Sequence, residues 1–357
     1  MPPFPLLRLP RLVLFKVFKS LNIEEKIKLS LCSKKTVTQI NIARLYSQKV
    51  IVILDILSQK IEVHSTNSKE RIHIFNSSDT RTNIHRNVRQ YQIGGRTVPV
   101  VFSFKSIQIF WKNNREEFLN VTQHLLKIFQ CKISTESNCY YSDLYRPIIF
   151  ELFDQQLEFE TITIPLNGSE DETLWNQLSS NLGLVENLKI VSVDNPGFRP
   201  VFPSWPQNII IFGSAWFTLE YLLACTCTII ILGASHFGNK DLEETLKKWK
   251  TGGFPNLEYL SVYSRGITNN GTTILGMNPS ELQGMVIRTD DGSKKATINT
   301  DYESQRLWLS VVHIGYLQIR SRSLFLVVLE PRLMASRSPF YSFGSGGPPA
   351  PTPLDSI

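Results

Sequence analysis

The chain has no apolar stretch long enough to cross a bilayer. Its best candidates, residues 222–234 and 324–329, fall short of the roughly 20 residues a spanning helix needs. Cysteine is scarce and unpatterned: Cys32, Cys131, Cys139, Cys225 and Cys227 form no C-x-x-C pair and are odd in number. That excludes the common zinc frameworks and the disulfide scaffold of small secreted domains, and reduced thiols in the cytoplasm or nucleus are expected. No block of like charge occurs. The 38 basic and 31 acidic residues are interspersed, so the net charge of +7 reads as solubility, and a nucleic-acid groove is not expected. H-E-x-x-H, G-x-S-x-G and the phosphate-cradling G-x-x-x-x-G-K-S/T are all missing. The six histidines (His64, His73, His85, His124, His236, His313) are scattered, each expected at the surface or as a satisfied core group. No catalytic residue, metal ligand or cofactor is therefore expected, nor a membrane partner.

What the chain does have is an apolar start. Residues 4–36 read FPLLRLPRLVLFKVFKSLNIEEKIKLSLCSKKT. A secretory leader is not expected there, because Pro5 and Pro10 break the run and Arg8, Arg11, Lys16 and Lys19 punctuate it. Pro10 suits a helix start, and Val13, Leu14, Val17, Phe18 and Leu21 share one helical face. Asn22 marks a break, Glu24 and Glu25 favour a second helix, and Ser33 can cap a third that carries Val37 and Ile40. Three short helices cannot enclose a deep core alone. Two destinations are open to the leftover apolar face: another protein, or the β segments after residue 50.

Those segments are VIVILDIL (50–57), KIEVHS (60–65), RIHIF (71–75), TVPVVFSF (97–104) and IQIFW (107–111), with a turn at Gly94-Gly95 and a helix over 116–129. Strands are then predicted at 161–164, 186–193, 208–214, 228–235 and 256–264, with helices at 172–182, 216–225 and 240–250 between them. Spacings of this size fit either leucine-rich-repeat-like units or an ordinary α/β domain with a parallel sheet and flanking helices. Residues 284–309 return to strands around Asp291-Gly292. Residues 316–357, dense in Gly, Pro and Ser toward the end, read as a disordered tail. The expected fold class is α+β: a small three-helix unit, then an α/β leucine-rich-repeat-like body.

The opening residues resemble an F-box. Leu9-Pro10, then Val13, Leu14, Val17, Phe18 and Leu21, then Ile27 and Leu31-Cys32-Ser33-Lys34-Lys35 follow its pattern. Arg11 and Leu12 stand where acids are usual, and Thr36 replaces an aromatic; LSLCSKKT and RLYSQKV (44–50) look like the nematode-expanded F-box families. Residues 214–262 resemble the type 2 F-box-associated domain, through Trp249 and Gly253-Phe254-Pro255-Asn256-Leu257-Glu258. The resemblance implies an F-box at 4–50, a β-rich region at 51–130 and the associated domain at 131–315. It also implies a Skp-type adaptor bound by Leu9, Pro10, Val13, Leu14, Val17, Phe18, Leu21, Ile27, Leu31, Cys32, Ser33 and Lys34, and through it a cullin. The function implied is that of a non-catalytic substrate receptor of an SCF-type ubiquitin ligase, with a protein substrate. For that substrate, DNPGFRPVFPSWP (194–206) offers Phe198, Arg199, Phe202 and Trp205, either as exposed anchors or as a rigid connector packed on the sheet. Trp216 and Trp249 read as core, and Cys225 and Cys227 as small packing residues.

Overall fold

The computed structural model describes residues 6–44, 50–65, 70–76, 88–110, 114–136, 142–166, 170–192, 199–269, 272–301 and 305–314. Most of RLYSQKV, Phe198 and the expected tail lie outside them. Three helices open the chain: α1 (Arg11–Ser20), α2 (Ile23–Cys32) and α3 (Lys34–Arg44). Pro10 precedes α1 with φ −53°, the value its ring imposes. Asn22 separates α1 from α2 by a reciprocal cap: its side chain accepts from the Glu25 N–H (2.8 Å), while the Glu25 carboxylate accepts from the Asn22 N–H (2.9 Å). Ser33 Oγ accepts from the Lys35 N–H at the start of α3.

The sheet begins with an antiparallel meander, β1 (Val50–Asp55), β2 (Lys60–Ser65) and β3 (Arg71–Asn76). The β4 (Arg89–Ile93) and β5 (Arg96–Ser103) strands form a hairpin whose two-residue loop is Gly94-Gly95, at φ +57° and +82°. Both loop positions are left-handed, as the mirror-image turn that matches strand twist requires. β6 (Ser106–Ile109) then lies between β5 and β3.

From there the chain repeats one move. After α4 (Asn114–Phe129) comes β7 (Ile133–Thr135), parallel to β1; after α5 (Tyr145–Asp154), β8 (Phe159–Leu166); after α6 (Glu170–Ser179), β9 (Val185–Ser192). β10 (Asn208–Phe212), α7 (Leu219–Ala224), β11 (Ile229–Ser235), α8 (Asn239–Lys250) and β12 (Tyr259–Ser264) continue the same parallel ladder. β13 (Met285–Arg288), β14 (Lys294–Asp301) and β15 (Arg306–His313) close it antiparallel, with β15 against β12. The result is one fifteen-strand mixed sheet with eight helices among the described residues, so the expected parallel sheet is correct only for its centre. Each parallel step adds a strand on the same side of the last. Right-handed crossovers in one direction send their helices to one face. Leu188, Ile190, Ile209, Ile211, Ile230 and Leu232 point to that face and are buried, while alternate positions on the other face are mostly half-buried.

One local expectation is corrected, and one sequence pattern acquires a structural role. The helix expected over 216–225 spans only Leu219–Ala224, because a turn closed by the Phe217 N–H on the Ser214 carbonyl precedes it. The Gly-x-Phe-Pro-Asn-Leu-Glu segment is a helix stop. Gly252, at φ +84°, donates to the Trp249 carbonyl, and Gly253 donates to that of Lys248, where a Cβ would meet the same oxygen at 2.9 Å. Phe254 and Leu257 then drop into the core.

The first three helices share that core. Leu14, Phe18, Ile23, Ile27, Val37 and Ile40 belong to one contiguous apolar cluster that also holds the sheet and the later helices. α2 and α3 pack on α4, and α2 also touches β2, β3 and β4. Polar contacts fix the joint: Asn41 donates to the Lys127 carbonyl (2.9 Å), and Ser30 Oγ donates to the Ile27 carbonyl, so it accepts from His124 Nε2 at 3.0 Å. Burial, with Lys127 adding repulsion, depresses the His124 pKa to about 4. The folded imidazole therefore stays neutral where an unfolded one, near 6.5, takes a proton. Stability is accordingly full above pH 6.5 and falls as the pH drops toward 4, by ~3 kcal/mol if the whole shift is expressed. Urea unfolding across that window should show the loss, and His124→Gln, which still donates to Ser30, should flatten the profile.

Candidate protein-interaction surfaces

The residues implied in adaptor binding separate by depth. Leu14, Phe18, Ile27 and Leu31 are buried in the shared core, where they hold the helices to each other and to the body. Leu9, Val17, Leu21 and Ser33 are half-buried, and Pro10, Val13, Cys32 and Lys34 are exposed. The Cys32 thiol donates to the Lys28 carbonyl at 3.4 Å.

The outward side of α1 carries one residue of the apolar stripe, Val13, and one outside it, Leu12. Leu12 is 79% exposed and Val13 45%, with Leu7 at 39% just ahead of the helix. Leu12 falls off the periodic face, so a periodicity argument passes over it. Its signal is an apolar residue among cations on the polar side of a helix, where burial in the chain does not account for it. Arg8, Arg11, Lys16 and Lys19 surround it, all exposed, and no acidic residue lies in the first turn of α1. This surface is apolar at its centre and basic at its rim, which suits an acidic partner with an apolar groove.

The Pro-rich loop behaves differently. Phe202 stacks on Trp205 at 4.3 Å between ring centres and meets Trp175 edge-on at 4.8 Å. Phe217 and Tyr221 complete the aromatic group, the Trp175 indole donates to the Val201 carbonyl, and the Cys227 thiol donates to that of Pro206. Phe202 and Trp205 are half-buried against the body; Arg199 is exposed and engaged by a neighbour. Trp216 and Trp249 are fully buried. Cys225 and Cys227 are buried free thiols, and the hydrogen bond with Cys225, with burial adding to it, pushes the Cys227 thiol up, the opposite of activation.

Among the described residues no His, Cys, Asp or Glu cluster is arranged to hold a metal ion. The half-buried Glu62 of β2 lies between His73 (3.5 Å) and His64 (3.7 Å), with Arg71 of β3 at 3.4 Å. No helix among the described residues is long and apolar enough to cross a membrane.

Two family models match the chain. The F-box domain covers residues 6–48, which include α1–α3, and the F-box associated family covers residues 198–262, from within the Pro-rich loop into β12. The chain thus carries both of the segments that its sequence resembles. No curated protein and no solved structure matches it.

The depth of these residues sets an expectation for stability. Leu12→Asp with Val13→Asp should change unfolding free energy by no more than about 0.5 kcal/mol, since both positions are exposed and an acid in the first turn suits the helix dipole. Leu14→Ala should cost about 2–5 kcal/mol. Chemical denaturation followed by circular dichroism distinguishes the two.

Proposed function

We propose that the chain is the substrate-receptor subunit of an SCF-type ubiquitin ligase. Its helices bind a Skp-type adaptor, which connects to a cullin and a RING subunit, and its α/β body holds a protein target in the cytoplasm or nucleus. F-box and F-box associated segments in one chain support that role in general. The body is proposed as a leucine-rich-repeat-like solenoid, since its central strands join their neighbours in sequence order. The observation that carries the proposal is the exposed apolar centre at Leu7, Leu12 and Val13, on helices whose other side is already built into the core. A free surface of that kind is stable in water only at a cost that a partner removes.

A receptor of this type needs no catalytic group. It contributes proximity, holding the target where a separate conjugating enzyme acts. The joint to α4 serves this, because helices sharing the core of the body hold the two binding surfaces at a fixed separation. The same joint favours a second reading, an interaction module in which the helices only cap the sheet and no ligase is engaged.

Co-expression with a Skp-type adaptor separates the two readings. The wild-type chain should co-purify with the adaptor, and Leu12→Asp with Val13→Asp should weaken the association at least tenfold while leaving the fold intact. Retention of binding by that variant, or no association of the wild type, overturns the ligase reading. Leu14→Asp is the wrong probe, since it places a charge in the core.

A further inference from the structure

We propose that the helix-free face of the sheet between β9 and β13 binds an extended acidic segment of a partner protein, with acids toward its ends and apolar residues between. This deepens the receptor reading and rests on it for the identity of the surface's user.

The face is basic at two places, and in both the cations are held at a cost. Arg288 on β13 and Lys295 on β14 are direct cross-strand partners, and both side chains are exposed. Like charges directly opposite each other in an antiparallel pair are destabilising. Neither makes a hydrogen bond or ion pair among the described residues. At the other end, Lys189 on β9 stands half-buried on the same face. Its ammonium makes no hydrogen bond there, burial lowers its pKa, and only the more distant charge of Glu136 opposes the shift. Beside it the buried Thr163 hydroxyl, on the partner position of β8, has no hydrogen-bond partner among the described residues. An anionic side chain would relieve each of these cations.

Between the two basic points the face is apolar. Ile210 and Ile231 follow Lys189 in register across β10 and β11, both half-buried. Arg306 comes next. It donates to Ser261 Oγ (2.9 Å) and the Tyr259 hydroxyl (2.8 Å), and its guanidinium lies 4.7 Å from the Tyr263 ring centre and 4.9 Å from that of Trp308. Asp301, its register partner, is the one carboxylate on these strands that points to this face. The strand spacing puts Lys189 about 25 Å from Lys295, the length of about eight extended residues.

The aliphatic centre favours a polypeptide over a nucleic acid, since Tyr263 and Trp308 spend ring faces on Arg306 and are not left open for base stacking. The chain's own residues 315–357 have the wrong sign for this face, with four arginines (Arg320, Arg322, Arg332, Arg337) against Glu330 and Asp355.

The test uses the full chain and a fluorescein-labelled peptide with Glu-Asp at both ends and Leu-Phe-Ile in the centre, read by anisotropy. Controls are the same peptide with Lys for each acid, and single-stranded RNA. The acidic peptide should bind, the lysine version should not, and Lys189→Glu and Lys295→Glu should each weaken binding at least tenfold. Lys295→Glu should also raise the melting temperature of the free protein, since it converts a repulsive pair to an attractive one. A purely structural lysine would not couple those two readouts in opposite directions. No binding of the acidic peptide, binding indifferent to both variants, or tighter binding of RNA overturns the proposal. The adaptor is absent from this assay, so failure here and failure of adaptor co-purification are separate results.

Discussion

The structure depends on one constraint: three helices too short to close a core of their own must finish it on the body. Ile23, Ile27 and Val37 do so by joining the cluster that holds α4 and the first strands. Burial of that side decides the rest of the N-terminal unit. With Leu14 and Phe18 committed inward, whatever α1 offers a partner must come from its remaining surface, and Leu12 and Val13 stand there among cations. The buried Ser30 and His124 pair, neutral in the fold, makes the joint specific in register without placing a charge in it.

The sheet imposes a second asymmetry. Parallel strands that always advance in one direction send their crossover helices to one face, so the opposite face is left without that cover. On the covered face the sequence supplies Ile and Leu, and on the other a mixture in which Lys189, Ile210, Ile231 and Arg306 stand together. The antiparallel closure by β13–β15 adds Arg288 and Lys295 to that open side. The Pro-rich loop sits outside this division. Phe202 and Trp205 stack on each other and on Trp175, so the aromatic content that marks the loop as a binding candidate is in large part structural.

Elements with strong local signals were legible in the sequence, and three without them were not. The strand at 60–65, the Gly94-Gly95 turn and the Asn22 break all stand in the structure where the residues put them. The β4 strand was missed because RQYQI is an edge strand whose exposed positions are polar, leaving only Ile93 buried. The three residues of β7 are too few to show an alternation. In α5, YRPIIFELFD, Pro147 reads as a breaker, yet it falls in the first turn, where a missing N–H costs nothing.

The sequence by itself determined the elements that carry caps, turns or a clear period, because those signals act over a few neighbouring residues. It also carried the two family patterns, which are strings of residue types. Only the tertiary structure decided which apolar residues are core and which are surface. Val13 and Leu14 are adjacent and equally greasy, and their fates diverge because α1 packs on α3 while α2 and α3 pack on a helix far along the chain. Ser30 and His124, 94 residues apart, meet at that joint. The open face of the sheet is likewise invisible in any one strand: it follows from parallel strands advancing in one direction, with the crossover hand favoured by the chirality of the backbone and not by the side chains that the face displays.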